Sequence, residues 1–264
     1  MRSNFETITV ERCDNDTLLI ALNRPEAANA LNTQMGLDLM ELFEGLTIDI
    51  EGLKVAILTA YGTKAFCAGG DLKQRNGMTD EAWQAQHLVF ERMIRAIMAC
   101  PIPVIAAVRG AAYGGGCEIA AAADFIYASA DARFALTEVT LGIMPGAGGT
   151  QNLARAIGER RAKELILSGV PFSASEAETW GLVNRVLPPE HLMEATLAIA
   201  NRIAGNGPLA VRQAKQAIHR GLQMSLADGL AFEIEAYNRL VPTEDRREGV
   251  LAFNERRKAS FQGR

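Results

Sequence analysis

The chain has 264 residues, 48% of them hydrophobic, enough for one large core with a smaller appendage. With 27 basic against 31 acidic side chains its net charge is -4, which excludes a general attraction to nucleic acid or to anionic membrane. The opening residues, Met1 to Glu11, lack a long apolar stretch and carry two acids, so they read as mature protein rather than a signal or transit peptide. No run approaches the roughly 18 apolar residues of a membrane span. Cys13, Cys67, Cys100 and Cys117 show no Cys-x-x-Cys spacing, which fits reduced thiols in a cytoplasmic protein better than disulfides or zinc.

Short β-rich runs fall at 17–22, 54–59, 103–108 and 125–128, and helical patterns at 35–46 and 80–100 separate several of them. Thr79 is a plausible N-cap for the second helix. The strands are near-continuously apolar, the pattern of a sheet covered by helices on both faces. After Pro188 helical segments follow one another, roughly 190–204, 208–221, 225–240 and 243–258, punctuated at Gly205-Asn-Gly-Pro208 and Val241-Pro242. The expected plan is an α/β core over 1–190 and an all-helical region over 191–264.

Three glycine-rich segments carry the chemistry. Ala65-Phe-Cys-Ala68-Gly-Gly-Asp71-Leu72 ends a strand-like run, and Gly114-Gly-Gly-Cys-Glu118 opens a helix-suited stretch. Glu138 lies in Phe134-Ala-Leu-Thr-Glu138-Val, just before Gly142. Two carboxyls in poorly solvated, apolar surroundings have raised pKa values, the condition for sharing acid and base work near neutral pH. A glycine turn opening a helix presents unpaired N–H groups that suit a phosphate or a developing oxyanion. Neither a Walker loop nor a dinucleotide fingerprint has the required spacing here. No Gly-x-Ser-x-Gly elbow occurs, and His87, His191 and His219 lie outside the glycine-rich segments, where they read as helix-surface or packing residues. Without a histidine beside the acids a metal site ranks far below acid–base use. Cys117 reads as a small buried residue rather than a nucleophile.

These blocks, with Pro103-Val-Ile-Ala-Ala-Val-Arg-Gly-Ala-Ala-Tyr-Gly and Leu141-Gly-Ile-Met-Pro-Gly-Ala-Gly-Gly-Thr-Gln, resemble the signature segments of the enoyl-CoA hydratase/isomerase (crotonase) family. The resemblance runs from Leu22 to Lys258 and implies a spiral (ββα) α/β core, with the C-terminal helices as a trimerisation region. It implies further that Glu118 and Glu138 are the paired catalytic acids, and that the backbone N–H groups of Ala68 and Gly115 form the oxyanion hole for an acyl-CoA thioester. Ala68, Gly69, Gly70, Asp71 and Leu72 would line the CoA pocket, and Gly146 would face the substrate. Arg24, and Arg256 or Lys258 from a neighbouring helix, are candidates for phosphate contacts. No cofactor is implied, because coenzyme A is part of the substrate, and the assembly implied is a homotrimer or homohexamer.

Both glutamates are present, and Gly146 stands where dehalogenase-like members place an Asp. Hydration of a 2-trans-enoyl-CoA therefore fits best, with methylglutaconyl-CoA hydration and double-bond isomerisation as alternatives. Departures from the family pattern at Arg109, Tyr113 and the loop 73–79 bear on acyl-chain shape. RNA binding, attached to one relative through a lysine-rich helix, is disfavoured, since the matching stretch 32–46 has no Lys or Arg.

Overall fold

A computed structural model describes residues 4–264; Met1, Arg2 and Ser3, the start of the opening segment read above, lie outside the described residues. Strand β1 (Ile8–Cys13) pairs antiparallel with β2 (Thr17–Leu22), and helix α1 (Thr33–Ile48) follows, capped by the Asn32 side chain. The chain then repeats one unit: a strand in a large sheet, a short strand in a small one, and a helix. The first turn is β3 (Val55–Ala60), β4 (Ala65–Cys67), the single-turn α2 (Leu72–Arg75) and α3 (Asp80–Ala99). The second is β5 (Val104–Val108), β6 (Ala111–Tyr113) and α4 (Gly115–Ala122). The third is β7 (Phe125–Ser129), β8 (Arg133–Ala135), α5 (Gly149–Ile157) and α6 (Glu159–Ser168). Then come β9 (Phe172–Ser173), α7 (Ala174–Trp180) and β10 (Arg185–Leu187), and four helices close the chain: α8 (Leu192–Ala204), α9 (Pro208–Gly221), α10 (Leu226–Asn238) and α11 (Glu244–Asn254).

The large sheet has the order β1-β2-β3-β5-β7-β10 and the small one β4-β6-β8-β9. Pairing is parallel except at β1–β2 and β8–β9, as a spiral of ββα turns requires. Alternate side chains of the central strands enter different clusters. Ala56, Leu58, Val104, Ala106 and Val108 join the main core with α1, α3 and the small sheet. Val55, Ile57, Ile105 and Ala107 pack under α8 through Leu192, Ala200 and Ala204. Both faces are thus covered, which explains the unbroken apolar strands. Helix α8 belongs to this layering, so the helices standing apart from the sheet begin at α9.

Helix α3 starts where its cap was expected, with the Thr79 hydroxyl accepting the Ala82 N–H. Helix α4 lies hard against β4. A Cβ on Gly116 would sit 2.2 Å from the Cys67 carbonyl oxygen, so only glycine permits this approach.

This contact predicts opposite outcomes for two Gly→Ala changes. Gly116→Ala should cost about 2–3 kcal/mol through overpacking. Gly45→Ala, inside α1 with nothing within 4 Å of the added methyl, should gain up to about 1 kcal/mol from helix propensity. Thermal unfolding of both variants checks the pair; equal shifts would refute the close packing of α4 on β4.

Candidate active site

A cavity of 1120 Å³ opens between α3, the 68–72 loop, the start of α4 and the segment 137–152. The third and second ββα turns meet here, and each contributes a glutamate. Glu118, in the first turn of α4, is buried at 3% exposure. Its Oε1 accepts the N–H groups of Ala147 (2.8 Å) and Gly149 (2.9 Å), so the amino end of α5 grips the carboxyl. That leaves Oε2 as the oxygen able to carry a proton. Glu138 begins a 3-10 turn, Glu138–Leu141, and its Oε2 is buried without a hydrogen-bond partner.

Both carboxyls are pushed upward. Burial raises Glu118 to about 7; the Gly149 N–H opposes this, the negative field of Glu138 adds to it, and the Ala147 N–H and Arg75 act against it. Burial also raises Glu138, against its own backbone N–H and the positive field of Arg75. Neither glutamate forms an ion pair among the described residues. Cys117 is fully buried with its thiol pushed up by desolvation, as befits an inert packing residue.

Backbone N–H groups face the same space, and here the sequence expectation needs correcting. The Ala68 N–H already donates to the Ala28 carbonyl at 3.1 Å, so it is not free for an oxyanion. The reason is local pairing. Leu31 donates to the Gly69 carbonyl and accepts from the Asp71 N–H, which zips the loop to the chain before α1. A residue flanked by two such bonds turns its own N–H outward, and that residue is Gly70. The Gly70 nitrogen lies 3.9 Å from where a Gly115 Cβ would stand, and neither Gly70 nor Gly115 donates a hydrogen bond among the described residues. The pair of free donors is therefore Gly70 and Gly115. Gly114 makes the turn possible with φ +49°, and a Cβ there would come 3.1 Å from the Glu138 Oε1.

Ala68, Gly69, Gly70, Leu72 and Gly146 line the cavity, whereas Asp71 and Arg24 do not, because each is turned to the other and to the loop backbone. Asp71 caps α2 by accepting from Lys73 and Gln74 and pairs with Arg24 at 3.0 Å. Burial disfavours its charge, but these partners together hold its carboxyl below the usual range. Arg24 also donates to the Ala30 carbonyl through the same Nη1. Arg256 and Lys258 follow α11, are exposed, and do not line the cavity. Arg109 does not line it either. Among the lining residues that sequence reasoning missed are His87, Trp83 and Arg75. His87, expected on a helix surface or in packing, lies against Gly146, where a Cβ would come 2.3 Å from its Cε1. An Asp at that position would have to displace the imidazole.

Residues 12–264 match the family model for enoyl-CoA hydratase/isomerase. The chain belongs to the enoyl-CoA hydratase/isomerase family. It is 46% identical to the Bacillus subtilis protein YngF over 245 residues, covering 93% of this chain and 94% of that one. It is 42% identical to the short-chain-enoyl-CoA hydratase of Clostridium acetobutylicum, over 91% of this chain and 92% of the relative. The crystal structure of an enoyl-CoA hydratase from Bacillus anthracis superposes with a TM-score of 0.95 at 43% identity, covering 98% of this chain and 100% of that one. This member of the enoyl-CoA hydratase/isomerase family has the crotonase fold, with the site at the seam between successive ββα turns. Among the described residues, none of its helices is long and apolar enough to cross a membrane.

The raised Glu118 carboxyl has a stability consequence. An unfolded glutamate titrates near about 4.3, so the fold binds this proton more tightly than the open chain does. The stabilising contribution is complete below the unfolded value and is lost as pH rises through about 7. Glu118→Gln stays neutral, so from about pH 5 to about pH 8.5 its stability should improve relative to wild type by on the order of 3 kcal/mol. Calorimetric unfolding at the two pH values checks this; an equal offset at both would mean an unperturbed carboxyl.

Proposed function

We propose that this chain adds water across the 2,3 double bond of a 2-trans-enoyl-CoA, giving a 3-hydroxyacyl-CoA. The observation that carries the reading is the meeting, in one cavity, of two carboxyls raised by burial with two unpaired backbone N–H groups. The thioester oxygen sits between the N–H groups of Gly70 and Gly115, at the positive end of α4. The ionised member of the glutamate pair takes a proton from water, whose oxygen bonds to C3. The electrons of the double bond move through C2 to the thioester oxygen, where the two N–H groups stabilise the charge. The enolate then collapses and C2 takes a proton from the other carboxyl. One water is consumed, and the two carboxyls exchange protonation states until a proton returns between them.

An isomerase needs only one group to shuttle a proton between carbons, so two carboxyls both raised by burial, Glu118 fully buried and Glu138 half-buried, favour hydration. No cofactor enters this scheme, coenzyme A being part of the substrate. The exposed apolar side chains of α9–α11, among them Ile218, Leu222, Leu226, Ile234 and Phe253, suit association of copies into the trimer or hexamer expected of the family. Unpaired cysteines, three of them buried, suit a reducing cytoplasm.

Glu118→Gln and Glu138→Gln should each lower kcat about a hundredfold or more while acyl-CoA binding changes little. Turnover of but-2-enoyl-CoA in isotopically labelled water should place solvent oxygen at C3 of the product, read by mass spectrometry. Conversion of 3-enoyl thioesters to conjugated ones, with 2-enoyl thioesters returned unchanged, would instead establish an isomerase.

A further inference from the structure

One lining residue has no part in that chemistry. Arg75, the last residue of α2, is half-buried in the cavity and interacts electrostatically with both Glu118 and Glu138. It forms no ion pair among the described residues, unlike Arg24 on the same loop system. A guanidinium withdrawn from water without a counter-charge is costly, and a neutral hydrocarbon chain beside it would make matters worse.

The side chain is nevertheless held with care. Its Nε donates to Gln86 Oε1 at 2.8 Å, and the buried Gln86 donates in turn to Thr33 Oγ1 (2.8 Å) and Gln74 Oε1 (3.0 Å). The guanidinium plane lies over Trp83, 4.4 Å from the ring centre, with Phe90 at 5.6 Å. Stacking and the Nε bond fix the group and leave both terminal nitrogens as donors, the fork that takes a carboxylate in two parallel hydrogen bonds.

Position decides which anion. The phosphates of coenzyme A stand off from the thioester by the whole pantetheine arm. A Cβ on Gly70 would come 3.3 Å from the Arg75 guanidinium, so this cation stands beside the free N–H groups at the reacting end of the thioester and remote from those phosphates. We infer that Arg75 receives a carboxylate carried on the acyl chain, making 2-enoyl-CoA thioesters of dicarboxylic acids the preferred substrate class. This rests on the hydratase reading and adds the substrate's far end to it. A bound carboxylate supplies Arg75 with its missing counter-ion.

The test compares pent-2-enedioyl-CoA and hex-2-enedioyl-CoA with the same chains ending in a carboxamide, using but-2-enoyl-CoA as a control for hydration itself. For at least one length, wild-type kcat/KM should favour the acid over the amide about a hundredfold, mostly through KM. Arg75→Met keeps the apolar contact with Trp83 and should reduce that ratio to near one; Arg75→Lys should retain part of it. Calorimetric binding of hexanedioyl-CoA against its carboxamide repeats the comparison without turnover. Equal use and equal binding of acid and amide by wild type would overturn the inference, as would an acid preference that survives in Arg75→Met. A changed pH profile for but-2-enoyl-CoA with no acid preference would make Arg75 a positioning residue for the glutamates and likewise overturn it. Failure to hydrate any of the thioesters, with the acid still bound more tightly, would count against the hydratase reading alone.

Discussion

Everything at this site depends on the grip of α5 on Glu118. Two backbone N–H groups, from Ala147 and Gly149, converge on one carboxylate oxygen at the positive end of a helix. They stabilise charge on a group that burial would otherwise keep neutral, and the opposing effects leave its pKa at about 7. A stronger grip would make an inert carboxylate, and a weaker one a permanently protonated acid. The same two bonds tie the third ββα turn to the second, so the acid–base balance and the closing of the cavity are set by one contact.

That contact is possible because the backbone comes unusually close at several points. Helix α4 approaches β4 within reach of the Cys67 carbonyl at Gly116, and Gly114 turns through a left-handed conformation beside Glu138. The result brings the amino ends of two helices to one cavity from different sides. The end of α5 holds an acid, while that of α4 leaves an N–H free next to Gly70. Side chains that could fill such a space with bulk are absent from the glycine turns, and exposed Leu72, Leu141 and Met144 give the mouth an apolar rim.

Much of this is legible in the sequence. Continuous apolar strands and long amphipathic helices announce themselves through periodicity, and β2, β3, β5 and β7 fall where expected, as do α3 and the C-terminal helices. The small sheet was not, because β4, β6, β8 and β9 have only two or three residues, too few for a period. Glu118 and Glu138 stand out as acids in apolar, glycine-rich surroundings. Which N–H of the Ala68–Gly70 turn is free depends on a bridge to Leu31, nearly forty positions earlier, and no local pattern carries that information. Arg75 hides for the opposite reason: beside Lys73 and Gln74 it reads as solvated loop, and only the return of α3 places Trp83 and Gln86 around it. The departure of loop 73–79 from the family pattern was the one available signal.

In the proposed hydration one water lies between Glu118 and Glu138 while Gly70 and Gly115 hold the thioester oxygen. The most direct measurement is a high-resolution crystal structure with a thioester that binds but cannot be hydrated, such as a saturated acyl-CoA. The carbonyl oxygen is expected within hydrogen-bond distance of both the Gly70 and Gly115 nitrogens, with the Ala68 N–H still on Ala28 and a water touching both glutamates. A carbonyl bound to Ala68, or a water held by only one glutamate, would contradict it.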